Sequence, residues 1–121
     1  MTAVLVCDDA ADMRAMLRDA VDADPGLRVV GEAGDGAAAL ALAAELQPDV
    51  VLLDIGMPGP SPDEVVAGVR RAAPEAAIVV LSGYGPERLH RSVAVEVAAH
   101  LPKTTDLDAV RRTLRAAGGA A

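Results

Sequence analysis

The sequence predicts an α/β fold: a doubly wound, five-stranded parallel sheet flanked by five helices. Three observations predict it. Five short apolar runs alternate with five stretches of helical character, joined by short connections. The strongest run, Val50-Val51-Leu52-Leu53, has no polar face, as befits a strand covered by helices on both sides. Residues able to do chemistry follow four of the runs: Asp8 and Asp9, Asp54, Ser82 and Lys103. Open parallel sheets bind ligands at those carboxyl ends.

Taken in order, residues 3–7 form a first buried strand that exits into Asp8-Asp9. Met13, Met16, Leu17, Ala20 and Val21 then recur at helical spacing, and Pro25-Gly26 ends that helix. Asp9 is a natural N-cap for it. Residues 27–30 make a second strand, and 31–36 read as a Gly-rich turn. An alanine-rich helix over 37–46 is stopped by Pro48. The third strand, 50–53, delivers Asp54 into the loop Ile55-Gly56-Met57-Pro58-Gly59. Ser61-Pro62-Asp63-Glu64 is a full helix-start signal for a helix to about residue 72, with Ser as cap and Glu at N3. Gly68 inside it costs roughly 1 kcal/mol against Ala. A fourth strand over 78–81 ends at Ser82-Gly83. A fourth helix is expected from Pro86 to about Val95. The fifth strand, 98–101, belongs at a sheet edge, because Pro102 donates no ladder hydrogen bond. Thr105 and Asp108 are the expected caps of a last helix over 107–116, and 118–121 reads as a flexible tail after a single domain spanning 1–117.

The 121 residues suit one domain with a real core, and with 52% hydrophobic residues disorder is excluded. With neither Trp nor Phe, that core is aliphatic. A net charge of −7 argues against binding of nucleic acid or anionic membrane by this domain and favours a cation or a basic partner. No signal peptide and no membrane span is readable. The one cysteine, Cys7, sits in an apolar run as a buried thiol and suits a reducing cytoplasm.

If the first and third strands are neighbours, Asp8, Asp9 and Asp54 converge. Three such carboxylates repel one another unless a cation binds or a pKa rises. Carboxylate oxygens with open positions suit Mg²⁺, which keeps waters and takes one or two carboxylates plus a phosphate. Ser82 and Lys103, at the same edge, supply a hydroxyl and an ammonium as donors to phosphoryl oxygens. The set reads as a nucleophilic Asp54, a metal and a phosphate clamp, for in-line phosphoryl transfer that forms an aspartyl-phosphate. Singly, each residue is also explicable as a turn former, a helix-start acid or a surface charge.

These residues carry a strong resemblance over nearly the whole chain. Asp8-Asp9, the segment from Pro48 to Gly59, Leu81-Ser82-Gly83 and Leu101-Pro102-Lys103 resemble a response-regulator receiver domain of two-component signalling. The stretch from Val29 to Gly36 is similar to the subfamily usually joined to a C-terminal helix-turn-helix. The resemblance implies a flavodoxin-like receiver fold with strand order 2-1-3-4-5. It implies phosphorylation of Asp54 by a sensor histidine kinase, in a switch that catalyses only its own phosphorylation and dephosphorylation. Asp9, Asp54 and the Gly56 carbonyl would bind Mg²⁺ directly, and Asp8 through a bound water. Ser82 and Lys103 would hold the phosphoryl group, and His100 falls where the family usually has an aromatic switch residue.

The chain also departs from the family. Pro60-Ser61-Pro62 replaces the usual Met-Asp-Gly, Glu96 and Ala99 replace glycines before the fifth strand, and Thr104 follows Lys103 where many members have Pro. Movement of Ser82 toward the phosphoryl group would free space near His100. The change would spread to a face formed by helix four, strand five and helix five. Arg88, Arg91, Arg111 and Arg112 make that face basic, and it would bind an output protein or a second copy of the chain. Other readings are a non-switching module of the same fold, a nucleotide-binding enzyme and an aspartyl phosphohydrolase. The second is weakened by the spacing of Gly31, Gly34 and Gly36, the third by Gly56, which leaves no second acid two residues past Asp54.

Overall fold

A computed structural model describes residues 1–119. Five parallel strands lie in the order β2-β1-β3-β4-β5, as expected. They are β1 (Thr2–Cys7), β2 (Leu27–Ala33), β3 (Val50–Leu53), β4 (Ala77–Ser82) and β5 (Val97–Pro102). The helices between and after them are α1 (Ala11–Asp22), α2 (Gly36–Leu46), α3 (Pro62–Ala72), α4 (Arg91–Ala94) and α5 (Leu107–Ala117).

The alternation of side chains along each strand divides the core into two layers. Leu5, Cys7, Val51, Leu53, Ile78 and Val80 face α2 and α3, where they meet Ala39, Ala43, Val65, Val66 and Val69. Val4, Val6, Val50, Leu52, Val79 and Leu81 face α1 and α5, against Leu17, Val21, Val110 and Leu114. With no Phe or Trp to fill space, small residues bring the layers close. A Cβ on Gly68 would lie 2.5 Å from Leu40 Cδ2, so the glycine that weakens α3 as a helix lets α2 pack against it. The expected capping box is present: Ser61 Oγ accepts from Glu64 N–H, and Glu64 Oε1 from Ser61 N–H.

Four local expectations are corrected. β2 continues through Gly31-Glu32-Ala33, which read as turn, because β1 offers Leu5, Val6 and Cys7 as ladder partners. The missing side chain at Gly31 admits Leu46, at the point where the register with β1 slips past Val30. The expected fourth helix is broken: a 3-10 turn at Pro86–Arg88 precedes a short α4. Leu89 and His90 are extended between them, because Leu89 turns into the core and His90 N–H donates to Asp63 Oδ1 at 2.8 Å. Asp9 does not cap α1. Ala10 holds that position, with its N–H donating to Asp8 Oδ1 at 2.9 Å. Neither Thr105 nor Asp108 caps α5; Asp106 does, accepting from Ala109 N–H at 2.8 Å. Of the tail, Gly118 closes α5 by donating to Leu114 O, while Ala120 and Ala121 lie outside the described residues.

Candidate functional site

Strand register places the acids. Cys7 pairs with Leu53, so β1 and β3 end level and Asp8 and Asp54 leave the sheet side by side. Asp54 N–H donates to Cys7 O at 2.9 Å, extending the ladder one step beyond the strands. Asp8 is 1% exposed and Asp54 8%, whereas Asp9 is exposed at the rim. One carboxylate oxygen from each of Asp8, Asp9 and Asp54 lies within 4.8 Å of the others. The convergence inferred from sequence is therefore present.

The opposite wall comes from β4 and β5. Ser82 pairs with Pro102, so Ser82 and the following Lys103 end level too. Lys103 reaches across β3's end: its Nζ hydrogen-bonds to Asp8 Oδ2 and lies 3.4 Å from Asp54 Oδ2. Burial works against the Lys103 charge. The hydrogen bond to Asp8, with the negative charges of Asp54 and Asp8, outweighs it and holds the ammonium above its usual range. The three acids are thus partly neutralised by an amine already in place. Asp54 Oδ1 accepts from Gly56 N–H at 2.8 Å, which fixes the carboxylate rotamer and shapes the loop. That loop is anchored in turn by Gly36 N–H, which donates to Pro58 O at 3.1 Å.

Ser82 is buried, and its Oγ accepts from Tyr84 N–H at 3.1 Å, so its own proton remains to be donated. Tyr84 was not singled out from sequence. It is the chain's one aromatic residue, and it lies in the loop after Ser82, which was the available signal. Its ring covers Gly56, where a Cβ would lie 2.8 Å from Cε2, and Arg88 stacks over that ring at 4.0 Å. Its carbonyl is 3.0 Å from His100 Nε2; a carbonyl only accepts, so that nitrogen carries the proton. Ser82, Tyr84 and His100 also line an open cavity of about 260 Å³ at the end of β4. His100, on the edge strand β5, thus borders the loop that follows Ser82. The expected basic face loses one member: Arg111 pairs with Asp108 on its own helix and turns toward α1, where it donates to Ala20 O at 3.4 Å.

The donor set is all hard oxygen, from three carboxylates, and among the described residues no thiolate or imidazole joins them. Such a set fits Mg²⁺. Cys7, one residue before Asp8, is no ligand: burial, aided by the charge of Asp8, pushes its thiol up to about 12. Among the described residues, no helix is long and apolar enough to cross a membrane.

A five-stranded sheet of this order, with paired acids after β1, an acid after β3 and a lysine after β5, defines an α/β domain with an acidic pocket at the carboxyl edge of its sheet. The chain matches the response regulator receiver domain family over residues 4–115, and it belongs to that family. Transcriptional regulatory protein LiaR of Bacillus subtilis is 31% identical over 97% of this chain and 56% of its own length. Nitrate/nitrite response regulator protein NarP of Escherichia coli is 43% identical over 65% of this chain and 37% of its own length. Among solved structures, the response regulator domain of Thermotoga maritima CheB superposes with a TM-score of 0.84 at 28% identity, covering 98% of this chain and 96% of that one. The signal receiver domain of NarL from Mycobacterium tuberculosis gives 0.82 at 31% identity, covering 98% and 97%. The chain thus spans 56% and 37% of those two curated relatives but nearly all of the isolated receiver domains. Receiver domains are signalling switches that bind Mg²⁺ at an acidic pocket, and Asp8, Asp9 and Asp54 form such a pocket here.

Proposed function

We propose that residues 1–117 are the phosphoacceptor domain of a two-component response regulator, and that Asp54 takes a phosphoryl group from the phosphohistidine of a sensor histidine kinase. The observation that carries this reading is the Asp54 carboxylate itself: nearly buried, its rotamer held by Gly56 N–H, with Lys103 Nζ 3.4 Å from Oδ2. An Asp54 oxygen forms a bond to phosphorus as the P–N bond breaks. The electron pair goes to the departing imidazole nitrogen, which takes a proton from solvent. Asp9, Asp54 and the Gly56 carbonyl would hold Mg²⁺, with Asp8 acting through a bound water. The ion supplies neutralisation of charge on the phosphoryl oxygens. Lys103 turns its ammonium from the acids to a phosphoryl oxygen, and Ser82 donates its free proton to another.

The readout follows from what Ser82 would leave behind. Drawn to the phosphoryl group, its Oγ gives up Tyr84 N–H and loosens the loop that His100 holds. The change reaches α4, β5 and α5, where Arg88, Arg91 and Arg112 remain the basic residues. That face would bind an output protein or domain, or a second copy of the chain, in the cytoplasm.

Incubation with a small acyl phosphate and Mg²⁺, followed by peptide mass analysis, tests the reading. One added phosphoryl group on Asp54, absent from Asp54→Asn, is expected. Labelling elsewhere, or undiminished labelling of the variant, overturns it and leaves the non-switching module of this fold.

A further inference from the structure

Arg14 plays no part in the reading above, yet its guanidinium joins the three elements around the acid pair. It stands in the first turns of α1, and its Nη1 donates to the main-chain carbonyl of Asp8 at 2.8 Å. Its Nε lies 3.4 Å from Glu32 Oε1, near the end of β2. Glu32 is shared with Arg18, whose Nη1 is 3.6 Å from Oε2. Gly34 leaves room for the guanidinium, because a Cβ there would lie 3.2 Å from Arg14 Nη1.

The choice of acceptor is what matters. The Asp8 carbonyl belongs to the planar peptide unit that also contains Asp9 N and Cα. Every other polar group of Asp8 is already committed. Its N–H goes to Ala33 O, Oδ1 to Ala10 N–H and Oδ2 to Lys103. Holding the carbonyl therefore fixes the tilt of the 8–9 peptide, and with it the direction in which the exposed Asp9 leaves the chain. Groups one step removed from a metal orient its ligands, and their loss costs tenfold or more in affinity.

We infer that Arg14, steadied by Glu32, is a positioning residue for the cation pocket: it aims Asp9 through the peptide plane and so sets how tightly Mg²⁺ is held. The inference rests on the phosphoacceptor reading and adds a residue to it. A guanidinium fork reaches the carbonyl and Glu32 together, whereas a lysine ammonium carries the charge without that geometry.

Titration calorimetry with Mg²⁺ alone, on wild type, Arg14→Ala, Arg14→Lys and Glu32→Gln, tests it, alongside the rate of labelling by an acyl phosphate at limiting and saturating Mg²⁺. Arg14→Ala is expected to weaken Mg²⁺ binding by about tenfold, with smaller losses in Arg14→Lys and Glu32→Gln. Its labelling rate should return to within about twofold of wild type once Mg²⁺ saturates, since the reacting groups are untouched. The Asp9 amide resonance should move in the metal-free variant. Unchanged affinity overturns the inference. Tighter binding in Arg14→Ala, reversed in Arg14→Lys, also overturns it, because the guanidinium would then act only as a charge. Should Arg14→Ala not fold, Arg14→Lys and Glu32→Gln carry the same comparison. Wild type that neither binds Mg²⁺ nor accepts phosphate defeats the phosphoacceptor reading instead.

Discussion

Lys103 hydrogen-bonds to Asp8, the most deeply buried acid of the pocket, and stands 3.4 Å from the carboxylate it is expected to help react, that of Asp54. The resting lysine is thus first a counter-charge. Removing it leaves a 1%-exposed carboxylate without its cation. Because Lys103 keeps 24% of its own surface, the loss should fall below that of a fully enclosed pair, at about 2 kcal/mol. Lys103→Ala should therefore melt lower than wild type without Mg²⁺ and recover more on its addition. An equal Mg²⁺ response in the two proteins would count against this role.

Gly36 sets the distance between the start of α2 and the loop after Asp54. A Cβ there would lie 2.9 Å from Val65 Cγ2 and 3.0 Å from Pro60 Cδ, neither the end of a long, flexible side chain. Gly36→Ala should cost about 1–3 kcal/mol, as overpacking does. Urea unfolding should show a lower midpoint with an unchanged slope.

The cap of α5 separates three neighbouring residues. Asp106→Ala should cost about 1 kcal/mol, the usual loss of an N-cap. Thr105→Ala should change stability by about 0.5 kcal/mol or less. Asp108→Ala should do little more, since its contact with Arg111 is an exposed pair. Denaturation of the three variants under one condition distinguishes them.

Alkaline pH should weaken the fold through two groups of the same sign. Burial raises the folded Cys7 thiol from 9.0 to about 12, so its contribution is complete below pH 9 and is lost as pH rises toward 12. Lys103, also raised in the folded chain, contributes fully below its usual value and loses that contribution above it. The urea midpoint should fall from pH 9 upward, and Cys7→Ala should flatten the first part of the fall. In the native protein at neutral pH, thiol reagents should label Cys7 only as fast as the chain opens. Rapid labelling would contradict its burial.

The site was legible because its residues follow strands that are unmistakable in sequence. Val50–Leu53 was placed correctly, and so were the acids at the level ends of β1 and β3. The end of β2 was misread because Gly31 looks like a breaker, while β1 supplies ladder partners that no local window contains. α4 was overextended because Pro86 marks a helix start, while the burial of Leu89 that interrupts it depends on the rest of the core. Asp106 rather than Thr105 caps α5 because loop geometry decides between adjacent capping residues. Tyr84, Arg14 and the resting attachment of Lys103 to Asp8 depend on contacts between distant segments. Residue types alone cannot rank such contacts.

Lys103 is also the chain's single lysine; the other strongly basic side chains are all arginine. Reagents that modify amines therefore meet one side chain besides the N-terminus, and that side chain stands in the acid pocket. Coupling the protein to a surface through its amines would block the pocket wherever it did not tether the N-terminus. Cyanate in aged urea also attacks unprotonated amines, so Lys103 is the one amine side chain it could neutralise, and its pairing with Asp8 slows that reaction while the chain is folded.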